Sequence, residues 1–532
     1  MNANRFCYTA ILIFGCWFFL GILPAGTSEA NEPDGTRTEK PNILFFITDD
    51  QSWPHAGIYG AKEISTPAFD RVAREGVLFA NAFATAPQCS PNRAAILTGR
   101  NIGQLEEAGT HASNFPRKFQ VFPDLLEETG YQIGFTGKGW GPGNWQFNGR
   151  ERNPAGNRYS NRELEEKPTG GITSLDYSGN VREFLEQRDA AKPFFFWVGT
   201  YEPHLPYEKG TGIEAGKDPD NVVVPAFLSD TPVVRSDILD YFLEIEWADR
   251  HLADILQLLE QQGELDNTLV VVTSDNGMPF PRAKANLYEY GTHMPLAVRW
   301  PDNISAGRVV DDLTRSIDFF PTFLDVAGVE IPEQVTGKSL LPVLTSDKEG
   351  TIDPKREFVL TGRERHTHAR PDNHAYPARG IRTQDYLYIR NYKPDRWPAG
   401  NPRPEGREDL TSGDFKSFGL GYADIDGSPT KTWMFENRKK PEVQELFHLA
   451  FEKRPAEELY DIREDPECMN NLAGDPNYES VRDRLSSKLQ SVLTAQNDPR
   501  AFGYEVFESY PRYSPMRNFA GFKQRGAYNF DF

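Results

Sequence analysis

The stretch NILFFITDD, residues 42–50, combines the two features on which the fold depends: an unbroken apolar run and a polar cluster directly after it. The runs in residues 131–140 (YQIGFTGKGW), 193–204 (PFFFWVGTYEPH) and 268–277 (TLVVVTSDNG) repeat this arrangement. All four are short, rich in β-branched and aromatic residues, and continuous rather than alternating. This pattern is typical of strands that are buried on both faces of a parallel sheet.

Segments with helical periodicity lie between these runs. The clearest predicts a helix over residues 237–262, with Ser236 as its cap and Gly263 at its end. Strands that alternate with helices indicate an α/β layered fold with right-handed crossovers. The apolar face of the predicted helix consists of Ile238, Phe242, Ile245, Leu252, Ile255 and Leu259.

The polar clusters at the strand ends predict one shared site, because the ligand crevice of such a sheet lies at the carboxyl ends of its strands. Three carboxylates gathered there repel one another unless a cation offsets them. Oxygen ligands without sulfur or imidazole favour Ca²⁺ or Mg²⁺ over zinc, and the number of side chains favours calcium. For any single acid, a capping carboxylate is the alternative. The residues expected to converge are Asp49, Asp50, Lys138, His204, Asp275 and Asn276.

The N-terminus has the layout of a cleavable signal peptide, residues 1–30, which predicts a secreted or periplasmic protein. A lipid anchor at Cys16 is a weaker alternative, and no later segment is long and apolar enough to cross a bilayer. Without the leader, Cys89 and Cys468 are the remaining cysteines, and a disulfide between them is the alternative to a free thiol with a chemical role.

Composition limits the function. The chain has 532 residues, 38% of them hydrophobic, which suffices for one large domain and a smaller one. Its formal net charge of −19 argues against a nucleic-acid partner. An anionic substrate therefore requires a local cluster of lysine and arginine.

Residues 88–100, QCSPNRAAILTGR, contain Cys89, Pro91 and Arg93 in a Cys-x-Pro-x-Arg pattern followed by Leu-Thr-Gly. With this motif the chain resembles the type I sulfatases of the alkaline phosphatase superfamily. The resemblance runs in family order from residue 41 to about residue 499. It implies an alkaline phosphatase-like fold: a mixed, mostly parallel sheet sandwiched by helices, with a smaller C-terminal antiparallel-sheet subdomain. Further matching stretches are PNILFFITDD, STPAFDRVAREGVLFANAF, GYQIGFTGKGW, VVTSDNG, EYGTHMP, DFFPTFLDVAG and ELYDIREDPECMNNLA.

The resemblance implies that a formylglycine-generating enzyme oxidises Cys89 to formylglycine, whose hydrate attacks sulfur and later expels sulfate. It also implies one Ca²⁺, held by the oxygen ligands named above together with the modified Cys89. Arg93, on the first turn of the same segment, then holds the hydrated aldehyde. Lys138 and Lys284 add positive charge against the transition state, and His204 protonates the leaving group. Independently, Pro91 and the helix-like residues after it place residue 89 at a helix N-terminus, which favours an anion. Taken alone, the lysines would be surface residues and His204 a loop residue.

One position departs from the family pattern, because Trp140 stands where a histidine commonly follows the Gly-Lys pair. In the family this histidine helps to deprotonate the aldehyde hydrate, and His111 is the candidate to replace it here. Trp140 is a candidate for stacking on a sugar. Residues 360–382 form a loop rich in arginine and histidine that we expect to face the substrate. A solvated charged loop and a zinc site are the alternatives. The loop residues expected to meet sulfate or carboxylate are Arg363, Arg365, His366 and His368.

Pattern changes predict the domain organisation: a catalytic domain over residues 41–370, an α+β subdomain over 371–500, and an aromatic-rich tail over 501–532 that packs on the body. Residues 274–292 most resemble the sulfamidase branch, which acts on sulfated carbohydrates, without deciding between N-sulfate and O-sulfate. A sulfamidase specific for N-sulfoglucosamine is therefore one alternative. A phosphohydrolase of the same superfamily and an inactive glycan-binding relative are the others.

Overall fold

The structure is a computed structural model that describes residues 40–370, 374–402 and 421–513, all within one compact unit. The predicted signal peptide and the end of the predicted tail lie outside the described residues. Within those three ranges, no helix is long and apolar enough to span a membrane.

The strands form three sheets. Their bounds are β1 Asn42–Thr48, β2 Val77–Phe79, β3 Ala82–Phe83, β4 Gln132–Gly137, β5 Asn157–Arg158, β6 Phe194–Gly199, β7 Thr268–Ser274, β8 His293–Met294, β9 Leu296–Arg299, β10 Arg308–Val310, β11 Thr314–Arg315, β12 Val359–Arg363, β13 Ala378–Arg382, β14 Tyr386–Asn391 and β15 Glu457–Asp461.

Helices lie between and after these strands along the chain. Their bounds are α1 Pro67–Arg74, α2 Cys89–Thr98, α3 Phe122–Glu128, α4 Tyr177–Gln187, α5 Thr211–Glu214, α6 Pro232–Gln261, α7 Glu289–Thr292, α8 Phe319–Val326, α9 Leu341–Leu344, α10 Pro429–Asn437, α11 Pro441–Phe451 and α12 Glu479–Ala495.

The main sheet has eight strands in the order β10-β2-β9-β7-β1-β6-β4-β5. All neighbouring pairs are parallel except those of β9, which runs antiparallel to β2 and β7. The four apolar runs of the sequence are its central strands β7, β1, β6 and β4. The prediction of a mixed, mostly parallel sheet is therefore confirmed.

Both faces of β1 are buried, which explains why its apolar run does not alternate. Ile43, Phe45 and Ile47 pack in one hydrophobic cluster with α2, α3 and α8. Leu44 and Phe46 pack in another with α1, α4 and α6. Helices thus cover the sheet on both sides.

The long helix α6 begins at Pro232, five residues before the predicted start, so the assignment of Ser236 as its cap is wrong. Thr231 is the cap, because its side chain accepts a hydrogen bond from the Val234 N–H and Pro232 occupies the first turn. Ser236 lies inside the helix.

A four-stranded antiparallel sheet, β12-β13-β14-β15, forms the smaller region, and α12 packs on it. This confirms the expected hairpin and the small antiparallel sheet. The predicted domain boundary at residue 370 falls between β12 and β13, inside this sheet. The division of the chain into domains stays a prediction.

Candidate active site

The ends of β1 and β7 bring the acids together. These strands are parallel neighbours with Thr48 opposite Ser274, so the residues after them meet at one edge. The Asp275 N–H donates to Thr48 O over 3.1 Å, and the Asp50 N–H donates to Asp275 Oδ1 over 3.2 Å. Asp50 has a φ of 77°, a left-handed conformation that aspartate tolerates better than most residues.

Asp49, Asp50 and Asp275 are almost fully buried, and each contributes a carboxylate oxygen to a group whose atoms lie within 4.8 Å of one another. Asn276 Nδ2 donates to Asp50 Oδ1 over 2.6 Å. Within the described part of the chain, Asp49 Oδ1 and Asn276 Oδ1 are buried without a hydrogen-bond partner. Such atoms are costly to bury unless a ligand satisfies them, so this all-oxygen cluster fits a hard divalent cation.

Each acid has a cationic partner. Lys138 pairs with Asp49. Lys284 Nζ lies 2.6 Å from Asp50 Oδ2, and Arg93 Nε lies 2.7 Å from Asp275 Oδ2. The pairs place three positive groups around the acid cluster, where they face any anion that binds there.

Burial raises the pKa of each of these carboxyl groups, whereas the cationic partners lower it. Burial raises the pKa of Asp50 to about 7 although Lys284 opposes it, and burial raises the pKa of Asp275 to about 6. Burial would also raise the pKa of Asp49, but Lys138 and the neighbouring cationic groups outweigh it and hold this pKa well below its usual range. The three carboxylates therefore differ in how firmly they keep their charge.

Cys89 is the first residue of α2, as predicted, and is 1% exposed. Its Sγ lies within 4.8 Å of ligand atoms of Asp49 and His204. Burial, reinforced by Asp49, raises the pKa of its thiol far above the ordinary value, so an unmodified Cys89 stays a neutral thiol. Cys468, the other described cysteine, is also buried and free.

His204 faces the acids from the loop after β6. Its Nε2 lies 3.7 Å from Asp50 Oδ2, and its Nδ1 lies 2.6 Å from the Leu205 carbonyl. Because a carbonyl only accepts, this contact assigns the proton to Nδ1 and leaves Nε2 toward the acids. Burial, with Lys284, lowers the pKa of His204 to about 4.

A cavity of about 750 Å³ opens beside these residues, within the size range of small-molecule sites. Cys89 and Asp49 line it together with His111, Trp140 and His366. Among its lining residues, five are lysine or arginine and two are acidic, although the whole chain carries a net charge of −19. This local excess of positive charge suits an anionic substrate. The five are Lys138, Arg152, Arg158, Lys284 and Arg512.

Not all predicted substrate residues reach this cavity. Arg363, Arg365 and His368 are buried and do not line it. Arg363 is the last residue of β12 and donates to Asp424 Oδ2 over 2.7 Å. Arg365 donates to main-chain carbonyls of the C-terminal tail. Trp140 lines the cavity but is 2% exposed, because its Nε1 donates to Ser90 O and its ring packs edge-on against Phe115.

Sequence reasoning missed two residues of the site. Asp426 Oδ2 lies 3.2 Å from Lys284 Nζ and belongs to a second close group with Asp50 and His204. Arg512 joins the cavity wall from the C-terminal tail. Both come from irregular loops without strand or helix periodicity, so no signal in the local sequence marks them.

The fold and this charge arrangement define an α/β protein with a positively charged cavity at the carboxyl edge of its sheet, which suits an anionic substrate. Comparison with known families makes this specific. The profile described as Sulfatase matches residues 41–329, more than half of the chain, and the profile described as N-sulphoglucosamine sulphohydrolase, C-terminal, matches residues 282–399. The chain belongs to the sulfatase family and is a sulfuric ester hydrolase.

Individual sulfatases align with this chain over most of its length. An ulvan-active sulfatase of Formosa agariphila is 27% identical over 94% of this chain and 90% of its own. The human N-sulphoglucosamine sulphohydrolase is 29% identical over 87% of this chain and 92% of its own. A solved structure in complex with its substrate D-glucosamine-2-N,6-O-disulfate has a TM-score of 0.63 at 23% identity, covering 88% of this chain and 100% of that one. This last similarity confirms the fold.

Proposed function

We propose that the protein is a calcium-dependent sulfatase that removes sulfate from sulfated carbohydrates and uses Cys89 in its formylglycine form. The observation that carries the proposal is the position of Cys89 at the start of α2, within 4.8 Å of ligand atoms of Asp49 and His204. The positively lined cavity beside it supports an anionic sugar as substrate. The relatives described as an ulvan-active sulfatase and an N-sulphoglucosamine sulphohydrolase support the carbohydrate class.

Asp49, Asp50, Asp275 and Asn276 would hold the calcium ion, with residue 89 beside them. Two of these side chains carry the buried oxygen atoms that lack a partner, which is what a ligand set without its cation leaves. When bound, Ca²⁺ would act as a Lewis acid toward the sulfate oxygens.

Formylglycine at position 89 would supply, as its hydrate, an oxygen nucleophile that a cysteine thiol cannot. The start of α2 favours negative charge there, since the first backbone N–H groups of a helix have no partner within it. Arg93 holds Asp275 and also donates through Nη1 to Lys138 O over 2.5 Å, which ties the helix to the end of β4.

The remaining cationic side chains address the substrate. Lys138 and Lys284 both line the cavity and hold positive charge against a bound sulfate group. His204 exposes Nε2 on the same side, where an imidazole that picks up a proton as the anion binds can pass it to the leaving group.

Maturation and location complete the proposal. The protein would meet a formylglycine-generating enzyme before folding, because Cys89 is 1% exposed in the folded chain. A secreted or periplasmic location follows from the signal peptide expected from the sequence. Among substrates, the match of residues 282–399 to the N-sulphoglucosamine sulphohydrolase profile favours N-sulfoglucosamine as the first to be examined.

The test is to express the chain with a formylglycine-generating enzyme, determine the mass of the peptide containing residue 89, and measure sulfate release. We expect the aldehyde mass and sulfate release in wild type, and neither in Cys89→Ala. Cys468→Ala is the matched control, because Cys468 is the other buried free cysteine and lies outside the site. Phosphate release in place of sulfate would support the phosphohydrolase alternative, and an unmodified, inactive protein would support the glycan-binding one.

A further inference from the structure

The C-terminal tail is fixed to the body just before it ends among the described residues. Phe507 is fully buried, with the guanidinium groups of Arg379 and Arg500 at 5.7 and 5.5 Å from its ring centre. Arg365 donates through Nη1 to Tyr510 O over 2.5 Å and through Nη2 to Pro511 O over 2.8 Å. These contacts hold the chain immediately before Arg512.

The next contact fixes the chain immediately after Arg512 and links it to the nucleophile position. The Tyr513 N–H donates to Ala112 O over 2.6 Å, and the Ala112 N–H donates to Ser90 Oγ over 3.0 Å. Ser90 follows Cys89 in α2. Two hydrogen bonds therefore connect the neighbour of Arg512 to the neighbour of Cys89, and the backbone of Arg512 is held on both sides.

The side chain of Arg512 lines the same cavity as Cys89, and each is 1% exposed. His111 and His366 also line this cavity, with their rings in edge contact at 4.7 Å.

We infer that Arg512 is a specificity-determining residue that binds a second anionic group of the substrate, a sulfate or a carboxylate, besides the sulfate that is cleaved. An arginine suits this role because its planar fork matches both anions with two parallel hydrogen bonds. A guanidinium held by a fixed backbone also loses less conformational entropy on binding than one on a free tail. The inference rests on the proposed function, since it assigns the substrate class of that site.

The experiment compares wild type with Arg512→Gln, Arg512→Lys and Arg484→Gln, all carrying formylglycine. Arg484→Gln is the charge-matched control, because Arg484 is exposed on α12, away from the cavity. The substrates are 4-nitrophenyl sulfate, which has one anion, and two pairs of sugars. The first pair is N-sulfoglucosamine and glucosamine-2-N,6-O-disulfate; the second is N-acetylglucosamine-6-sulfate with and without an attached uronic acid.

We expect wild type to prefer the two-anion member of at least one pair, and the pair identifies sulfate or carboxylate as the second group. Arg512→Gln should lower kcat/KM for that member about ten- to a hundredfold more than for 4-nitrophenyl sulfate, mostly through KM. Arg512→Lys should have a kcat/KM between those of wild type and Arg512→Gln for that member, since lysine keeps the positive charge but lacks the planar guanidinium. Arg484→Gln should behave as wild type.

An equal loss on all substrates in Arg512→Gln would overturn the inference, as would no loss on any. If Arg512→Gln does not fold, the test uses Arg512→Lys and the preference of wild type for substrates with two anions. A wild type that shows no such preference overturns the inference. If wild type hydrolyses 4-nitrophenyl sulfate but prefers neither member of either sugar pair, the inferred role of Arg512 is contradicted while the proposed function stands. Absence of sulfate release from every substrate contradicts the proposed function.

Discussion

At the scale of single residues, one lysine of the site pairs with two acids at once. Lys284 lies between Asp50, at 2.6 Å, and Asp426, at 3.2 Å, and all three side chains are nearly inaccessible to solvent. Asp50 also approaches His204 at 3.7 Å. The position of the ammonium group between two carboxylates therefore determines how much positive charge faces the cavity.

Asp426→Asn should lower the rate of sulfate release roughly tenfold or more, because Lys284 loses one charged partner and shifts toward Asp50. The free energy of unfolding should fall by about 1–3 kcal/mol, because the buried ammonium group of Lys284 loses one of its two ion-pair partners. Steady-state kinetics and chemical denaturation measure the two effects. The control is Asp230→Asn, which removes an exposed pair with Arg235 and should cost less than about 1 kcal/mol. Full activity in a folded Asp426→Asn variant would show that Asp426 has no part in the site.

At the scale of elements, the ends of β4 and β6 approach each other closely enough to exclude any side chain. Gly137 has a φ of +70°, and a Cβ there would lie 2.1 Å from Gly199 O and 2.7 Å from the Tyr177 ring. The Lys138 N–H donates to the same Gly199 carbonyl over 2.8 Å. The glycine at this point thus sets where Lys138 leaves the strand.

Gly137→Ala should reduce both stability and sulfate release, because the added methyl group forces β4 away from β6 and moves Lys138. Gly263→Ala is a closely matched control: Gly263 also has a φ of +70°, but no atom lies within 4 Å of its Cβ position. That control should cost about 1 kcal/mol from backbone strain alone and leave activity intact. Urea unfolding and sulfate release compare the variants. Equal losses in both would mean that the approach of β4 to β6 does not matter.

The helix α6 carries buried acids that lie outside the acid groups found among the residues that the structure describes. Glu244 is 2% exposed, and burial, with added repulsion from Glu202 and Asp240, raises its pKa to about 9. In an unfolded chain a glutamate has a pKa of about 4.3. Between these two values the native protein holds one proton more than the unfolded chain, so stability falls as pH rises through this interval.

Glu244→Gln should remove this pH dependence, because glutamine resembles the protonated carboxyl and does not titrate. Relative to the variant, wild type should lose up to about 1.4 kcal/mol per pH unit between about pH 5 and pH 9. Melting temperatures of both proteins across that interval measure the difference. Glu445→Gln, at an exposed position on α11, should give a curve parallel to that of wild type. A constant difference between Glu244→Gln and wild type at every pH would contradict the raised pKa.

At the scale of the whole molecule, the sequence predicts what depends on burial and strand order. The four apolar runs identify the central strands because both faces of the sheet are covered, and the polar residues after them converge because parallel strands end at one edge. Asp426 and Arg512 could not be predicted in this way. They reach the site through contacts between loops far apart in the chain, which leave no periodic signal.

The same limit explains the arginines of the loop after β12. Their composition suggests a surface that binds anions, and it carries no information about distant partners. In the structure Arg363 is bonded to Asp424 and Arg365 to the carbonyls of Tyr510 and Pro511, partners 61, 145 and 146 residues away.

The start of α6 was predictable in principle, since Thr231 and Pro232 form an ordinary helix start signal.

Calcium should stabilise the entire fold, because its proposed ligands follow two central strands, β1 and β7, and their carboxylates repel one another without it. A ligand that binds the native state alone adds RT ln(1 + [L]/Kd), about 2.7 kcal/mol at a hundredfold excess over Kd. We therefore expect the melting temperature to fall by a few °C in a chelator and to recover on titration with Ca²⁺, with a smaller recovery for Mg²⁺ at the same concentration. Asn276→Ala is the informative variant, because it removes one oxygen ligand of the cation without breaking an ion pair. Its titration midpoint should shift to higher calcium, and its melting temperature in chelator should also fall, since the buried hydrogen bond to Asp50 is lost with the side chain. Identical melting in chelator and calcium, or identical titrations of wild type and Asn276→Ala, would rule out the cation site at this sheet edge.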